Sequence, residues 1–143
     1  MRAALLDTGP VVALLHDKDV HHESTIEAIK GSVRGGRALA TTWEVVGEAF
    51  TLIRMRIAPR RQPTPAMAVL QWAEDGGAII AAPEDADQRR AIELLRAHVD
   101  IPLSYVDSLV LAICERLGVE ELVTVDGHLR AVHLDRTLIV TIV

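Results

Sequence analysis

Apolar residues along the chain fall into two kinds of segment, short continuous runs and longer stretches with helical spacing. The short runs predict strands at residues 3–6, 38–42, 78–82, 122–125 and 138–143. Helical spacing lies between them, at residues 10–16, 21–32, 43–57, 65–74, 86–98 and 105–117. Near-continuous apolar strands that alternate with helices are typical of a parallel sheet covered on both faces. The pattern therefore predicts an α/β fold.

Glycine and proline residues mark the predicted boundaries. Gly31, Gly35 and Gly36 are expected to end the second helix, and Gly118 follows the last one as a C-cap glycine. The segment 58–65 holds three prolines and predicts a stiff turn between two helices. There are no internal repeats, so we expect residues 1–143 to form a single domain.

Composition supports a globular chain, with 50% hydrophobic residues and a mean hydropathy of +0.24. No apolar run approaches the ~20 residues of a membrane helix, and no signal-peptide pattern opens the chain. We therefore expect a cytoplasmic protein without membrane association. The single cysteine, Cys114, excludes an internal disulfide and a multi-thiolate zinc site, and its apolar surroundings predict a buried residue.

A formal net charge of −5 argues against a nucleic-acid binder that works by bulk charge alone. Against this background Arg54, Arg56, Arg60 and Arg61 form a concentrated basic segment. Two interpretations stay open: a solvated helix end whose cations complement the helix dipole, or a surface that binds phosphate groups.

Four carboxylates, on Asp7, Glu48, Asp107 and Asp126, stand at the ends of predicted strands or near the starts of predicted helices. Such positions meet at one edge of a parallel α/β sheet, where ligands bind. Four acids placed together repel each other unless a cation lies between them. Hard oxygen ligands suit Mg²⁺ or Mn²⁺, so we expect a divalent metal site.

Each acid also has a structural interpretation. Asp7 can cap a helix, although Thr8 and Gly9 can serve instead and leave it free for function. Asp107 completes a capping signature with Ser104, which leaves capping and catalysis equally supported. Asp126 begins an Asp-Gly turn that the hydroxyl of the residue two positions earlier is able to support.

Glu48 has no such alternative, whereas Glu44, one turn earlier, fits a capping box with Thr41 as N-cap. Glu44 is thus kept only as a supporting or alternative ligand. His128 is a candidate contact at the edge of the site. Both tryptophans, at positions 43 and 72, are expected in the core.

The residues that carry these acids resemble the PIN domain family, and within it the VapC-type toxins of bacterial toxin–antitoxin pairs. The resemblance runs over nearly the whole chain. It rests on Leu5-Leu6-Asp7-Thr8-Gly9-Pro10-Val11-Val12-Ala13-Leu14, on Thr41-Thr42 with Glu48 six residues after Thr42, on Leu103-Ser104-Tyr105-Val106-Asp107-Ser108-Leu109, and on Val123-Thr124-Val125-Asp126. One departure is Leu129, where many relatives have an aromatic residue.

The resemblance implies a three-layer α/β/α sandwich with a five-stranded parallel sheet. It implies catalytic roles for Asp7, Glu48, Asp107 and Asp126, of which the three aspartates would ligate the metal. Site support or substrate binding is expected of the hydroxyl and basic residues Thr8, Ser104, Arg54 and Arg60.

The activity implied is Mg²⁺- or Mn²⁺-dependent cleavage of RNA by a toxin that a VapB-type antitoxin holds inactive. A homodimer is also implied, and apolar residues on two helices are the expected interface: Val45, Val46, Phe50, Ile53, Met67, Val69 and Leu70. Two other classes stay open, a PIN-like module that binds RNA or protein without cleavage, and a different Mg²⁺-dependent phosphohydrolase.

Overall fold

A computed structural model describes residues 1–57 and 62–143. These residues form a parallel five-stranded sheet with the strand order β3-β2-β1-β4-β5. The strands are β1 (Ala3–Leu6), β2 (Ala38–Thr41), β3 (Ile79–Ile80), β4 (Glu121–Thr124) and β5 (Leu138–Thr141). In register, Leu5 of the central strand lies opposite Ala40 of β2 and Leu122 of β4.

Six α-helices connect and cover the strands within the described ranges. They are α1 (Thr8–Leu15), α2 (His22–Arg34), α3 (Trp43–Leu52), α4 (Thr64–Glu74), α5 (Asp85–Ala97) and α6 (Tyr105–Leu117). A π-helical segment, Ile53–Ile57, continues α3, and a 3₁₀ segment, Gly127–Ala131, follows β4. Helices α1, α3 and α4 pack together, and α5 packs along α6.

The core lies on both sides of β1, whose four residues are fully buried. Because successive strand residues point to opposite faces, burial of all four requires helices on each face of the sheet. The fold is therefore the expected three-layer α/β/α sandwich. Cys114 is buried on α6, where loss of solvation raises the pKa of its thiol far above the usual value. None of the described helices has both the length and the apolarity to cross a membrane.

Most predicted boundaries agree with the structure to within a few residues, and the exceptions have physical causes. Strand β3 is shorter than the predicted 78–82, since only two of its residues pair with β2. Helix α2 passes through Gly31, a tolerated interior position, and ends at Arg34 before Gly36, whose φ of +83° stops it. Gly118 is left-handed at the end of α6, as expected. Residues 58–61 of the predicted proline turn lie outside the described ranges.

Two expectations about apolar residues were wrong. Trp43 is 47% exposed, because it is the first residue of α3 and faces away from the core. The proposed interface stripe is largely internal: Val45, Val46, Ile53 and Val69 are fully buried in the core of the same chain. Met67 alone of that set is half exposed.

Candidate active site

The site lies at the edge of the sheet where β1 and β4 end. The backbone N–H of Asp7, the residue after β1, donates to the carbonyl of Val123 at 3.0 Å. Helix α1 starts at the next residue, Thr8. It passes close to the segment after β4, since a Cβ on Gly9 would overlap the side chain of Val125. Glycine at this position therefore allows α1 to begin directly beside the end of β4.

Asp7 is 4% exposed and occupies the N-cap position of α1, yet its side chain makes no capping hydrogen bond. Its Oδ2 accepts a hydrogen bond from the hydroxyl of Thr124 at 2.9 Å. Its Oδ1 is buried and has no hydrogen-bond partner among the described residues. The expectation that Thr8 or Gly9 would cap this helix was wrong, because both lie within it, but the Asp7 side chain is still not used for capping.

The charge of Asp7 is poorly compensated. Burial is the largest cause that raises its pKa from 3.8 to about 6, and the negative charge of Asp107 is the next. Glu48 adds a smaller effect in the same direction, while the backbone of Thr8 and the hydroxyl of Thr124 offset part of the increase. Asp107 and Glu48 thus act electrostatically on Asp7, as the predicted convergence of these acids requires.

Glu48 is held by the hydroxyl of Thr8, which donates to its Oε2 at 2.8 Å. Thr8 is itself buried, so its hydroxyl is a fixed partner of the Glu48 carboxylate. This bond joins the first turn of α1 to the second turn of α3 and orients the carboxylate.

The capping box predicted at Thr41 was wrong by one residue. Thr42 is the N-cap of α3 and accepts from the backbone N–H of Val45 at 3.0 Å. Thr41 instead ends β2, and its hydroxyl donates to the carbonyl of Leu6 at 2.9 Å. Glu44 consequently has no capping role, and its Oε1 is buried without a partner in the described part of the chain.

Asp107 does form the predicted capping box with Ser104 at the start of α6. Its carboxylate accepts from the backbone N–H of Ser104 at 2.9 Å, and its own N–H donates to the Ser104 hydroxyl at 3.0 Å. The cap does not separate Asp107 from the other acids, because its negative charge also raises the pKa of Asp7. Ser104 is exposed.

Thr124 connects two of the acids. Besides its bond to Asp7, its hydroxyl accepts from the backbone N–H of Asp126 at 3.0 Å, which confirms the predicted support of that turn. Asp126 caps the 3₁₀ segment, where its Oδ1 accepts from the backbone of His128 and lies 2.9 Å from Nδ1 of the same residue. The link from Thr124 to Asp7 was not predicted, since sequence spacing shows only the local partner.

Comparison with known proteins assigns the family. The family model of the PIN domain matches residues 4–133. The chain belongs to the PIN domain family. A VapC ribonuclease of Archaeoglobus fulgidus is 30% identical over 119 residues, which cover 80% of this chain and 72% of that relative. The predicted family is thus confirmed.

Two solved structures share the architecture of this PIN domain. The crystal structure of VapC20 from Mycobacterium tuberculosis, described as a toxin that cleaves the sarcin–ricin loop, has a TM-score of 0.74. The two are 20% identical, and the match covers 90% of this chain and 94% of that one. A DNA-bound VapBC from Salmonella typhimurium has a TM-score of 0.64 at 15% identity, with 97% of each chain covered. At these identities the likeness concerns the fold.

The donor chemistry of this PIN domain fits a hard divalent cation. A buried carboxylate oxygen without a partner, in a group whose pKa is raised by burial and by two further acids, is a ligand that a cation would satisfy. Among the described residues, however, no three acidic, histidine or cysteine side chains form a ready-made ligand set. Asp107 and Asp126 each have one carboxylate oxygen engaged in a helix cap.

The basic residues are placed unequally. Arg54 lies half-buried in the π-helical segment. The exposed Arg56, two residues further, lines a cavity of about 240 Å³ together with Glu48, Thr51 and Leu52. Arg60, the other predicted substrate contact, lies outside the described residues.

Proposed function

We propose that this PIN domain is a Mg²⁺- or Mn²⁺-dependent ribonuclease that acts as the toxin of a VapBC-type pair in the cytoplasm. The observation that carries the proposal is Asp7, a buried carboxylate whose Oδ1 has no partner among the described residues and whose pKa is raised to about 6 beside two other acids. The similarity to a VapC ribonuclease over 80% of the chain supports the same activity.

Asp7, Asp107 and Asp126 would hold the cation. When bound, it supplies positive charge that stabilises the phosphodiester during cleavage and lowers the pKa of bound water. Thr124 fixes two of these acids, since its hydroxyl bonds to the Asp7 carboxylate and to the Asp126 backbone. A ligand set of this kind needs such support, because orientation of the ligands sets metal affinity.

Asp107 is our candidate for the general base. In the cleavage step the oxygen of a water molecule bonds to phosphorus while one proton of the water passes to the carboxylate. The P–O bond to a ribose oxygen breaks, and that oxygen leaves with the electron pair and takes a proton from solvent. The position of Asp107 at the start of α6, fixed by Ser104, keeps one carboxylate oxygen engaged in the cap. Glu48, held by Thr8, completes the acidic set and orients the reacting groups.

The RNA strand is proposed to contact the exposed hydroxyl of Ser104 and the basic residues Arg54 and Arg60. Thr8 contributes through Glu48, since its hydroxyl is already bonded there. Residues 1–143 act as a single domain in this proposal.

A VapB-type antitoxin and a second copy of the chain are the proposed partners. Apolar residues that remain exposed on the π-helical segment and α4 are Met55, Ile57 and Met67. These three exposed residues replace the buried apolar residues as the proposed dimer surface. Light scattering at micromolar concentration tests the dimer, and a strict monomer would contradict it.

The central test is an Asp7→Asn variant. We expect the native chain to cleave RNA in Mg²⁺ or Mn²⁺, and the variant to lose cleavage and most of its affinity for Mn²⁺ while it keeps its fold. The matched control is Asp100→Asn, which changes an exposed aspartate and should keep both RNA cleavage and Mn²⁺ affinity. Unchanged cleavage by Asp7→Asn would refute the assignment. RNA binding without cleavage by the native chain would favour a binding module, and release of phosphate from a monoester would favour another phosphohydrolase.

A further inference from the structure

One cavity of the molecule is lined by both an acid and an arginine. It has a volume of about 240 Å³, and its lining residues Glu48, Thr51, Leu52 and Arg56 all come from α3 and the π-helical segment that continues it. Since Glu48 is one of the acids of the active site, the cavity extends from that site along the helix towards Arg56.

The π-helical segment explains why Arg56 faces the same way as Glu48. In a regular α-helix eight residues turn about 800°, which would place Arg56 about 80° around the helix from Glu48. A π-helix closes its hydrogen bonds over five residues instead of four, so each residue turns the chain by less. The segment Ile53–Ile57 therefore reduces this divergence, and both side chains line one cavity.

Arg56 is available to a ligand. Its side chain is exposed, and it forms no ion pair with any residue of the described ranges. Most other arginines for which contacts are described are already paired: Arg2 and Arg37 with Glu120, Arg90 with Glu115, and Arg116 with Asp87. An exposed guanidinium without an acidic partner in the described ranges is suited to bidentate recognition of a phosphate group.

We propose that Arg56 binds a phosphate of the RNA strand that flanks the cleaved bond, and that the π-helical segment directs it there. Eight residues of helix separate the two Cα atoms by about 12 Å along the axis, so the arginine reaches a neighbouring phosphate and not the reacting one. The inference rests on the proposed ribonuclease function and makes Arg56 a substrate-positioning residue of the same site.

The salt dependence of RNA binding tests this role. Each phosphate contacted on a single strand contributes about −0.7 to the slope of log Kobs against log[salt]. Binding of a labelled single-stranded RNA is measured between 50 and 200 mM salt, without added metal, in the Asp7→Asn background. We expect Arg56→Gln to make the slope shallower by about 0.7. The fall in RNA affinity between 50 and 200 mM salt should then be about 2.6-fold smaller for this variant than for its parent.

Two further variants distinguish a phosphate contact of Arg56 from a general effect of removing one positive charge. Arg56→Lys keeps the charge and should restore the slope but only part of the affinity, because lysine lacks the bidentate geometry. Arg89→Gln removes the same charge from an exposed position on α5 and should leave the slope unchanged. Helix α5 is joined to α6 by the ion pair between Asp87 and Arg116. Arg116 is nine residues after Asp107 on α6, which is roughly 14 Å along the helix axis, so Arg89 on α5 lies away from the site.

The outcomes separate this inference from the proposed function. RNA cleavage by the native chain, together with equal slopes for Arg56→Gln and its parent, would overturn the role of Arg56 alone. Failure of the native chain to cleave RNA, with a shallower slope for Arg56→Gln, would refute the ribonuclease and keep Arg56 as a phosphate contact. Absence of RNA binding by the Asp7→Asn chain would overturn the role of Arg56, and absence of both RNA binding and cleavage by the native chain would overturn the ribonuclease as well.

Discussion

Asp7→Asn should stabilise the chain in a way that depends on pH. Folding raises the pKa of Asp7 from 3.8 to about 6, so the folded state takes up a proton between these two values. Relative to a chain without this group, stability is therefore greatest below pH 3.8 and is lost as the pH rises through 6. The asparagine variant has no charge to lose at this position and should not show the decline.

The expected size follows from the pKa. A change from 3.8 to about 6 corresponds to about 3 kcal/mol in the fully ionised state, at 1.36 kcal/mol per pH unit. Between pH 4.5 and 7.5 the same values give an increase of about 2 kcal/mol in the advantage of the variant. At about 3–4 °C per kcal/mol for a domain of this size, the difference in Tm should grow by roughly 6–8 °C.

Chemical and thermal denaturation in EDTA measure this change at the two pH values. The comparison between pH values is more informative than either value alone, because the cost of burying the new amide is the same at both. Asp100→Asn should show no comparable change with pH, since that aspartate is exposed. A difference between Asp7→Asn and the native chain that stays constant from pH 4.5 to 7.5 would refute the unfavourable buried charge.

Two further predictions concern the surroundings of Asp7. Mn²⁺ at 100 times its Kd should stabilise the native chain by about 2.7 kcal/mol. A Glu48→Gln, Asp107→Asn double variant should be stabilised much less. Equal Mn²⁺-induced shifts in melting temperature for the two proteins would show that the metal binds elsewhere. Thr124→Val should cost about 1–3 kcal/mol in denaturant titrations, because it leaves Asp7 Oδ2 and the Asp126 backbone N–H without their partner. Thr25→Val is the matched control, since the buried Thr25 hydroxyl has no partner in the described ranges; an equal cost for both would contradict the argument.

Sequence predicted the fold well where one physical effect decided the local structure. Strand β1 and helix α6 have the predicted bounds, because continuous apolar residues define the first and a capping box with a terminal glycine defines the second. Helix α1 began earlier than predicted, since Pro10 was taken as its first turn while Thr8 and Gly9 already adopt helical geometry. The exposure of Trp43 depends on which side of α3 faces the sheet, and composition does not contain that information.

The site was predictable as a set of residues and less so as a set of contacts. Strand ends and helix starts pointed to the acids because topology brings such positions to one edge, and Asp107 and Glu48 do raise the pKa of Asp7. Contacts between distant residues, such as Thr8 with Glu48 and Thr124 with Asp7, leave no trace in local spacing. The same holds for the π-helical segment, whose effect on the direction of Arg56 appears only in three dimensions.

A comparison of the acidic charges with what the fold supplies supports the proposed cation. Asp7, Asp107 and Asp126 all lie at or near the start of a helical segment, where the helix dipole favours negative charge by about 0.3–1 kcal/mol. The cost of ionising buried Asp7, about 3 kcal/mol, already includes the hydrogen bond from Thr124 and exceeds the benefit from the helix dipole. Neutral dipoles therefore leave a charge that only a cation, or protonation below pH 6, would relieve. A neutral residue at position 7 would avoid this cost without metal, whereas the carboxylate fits the cation-binding role proposed for Asp7.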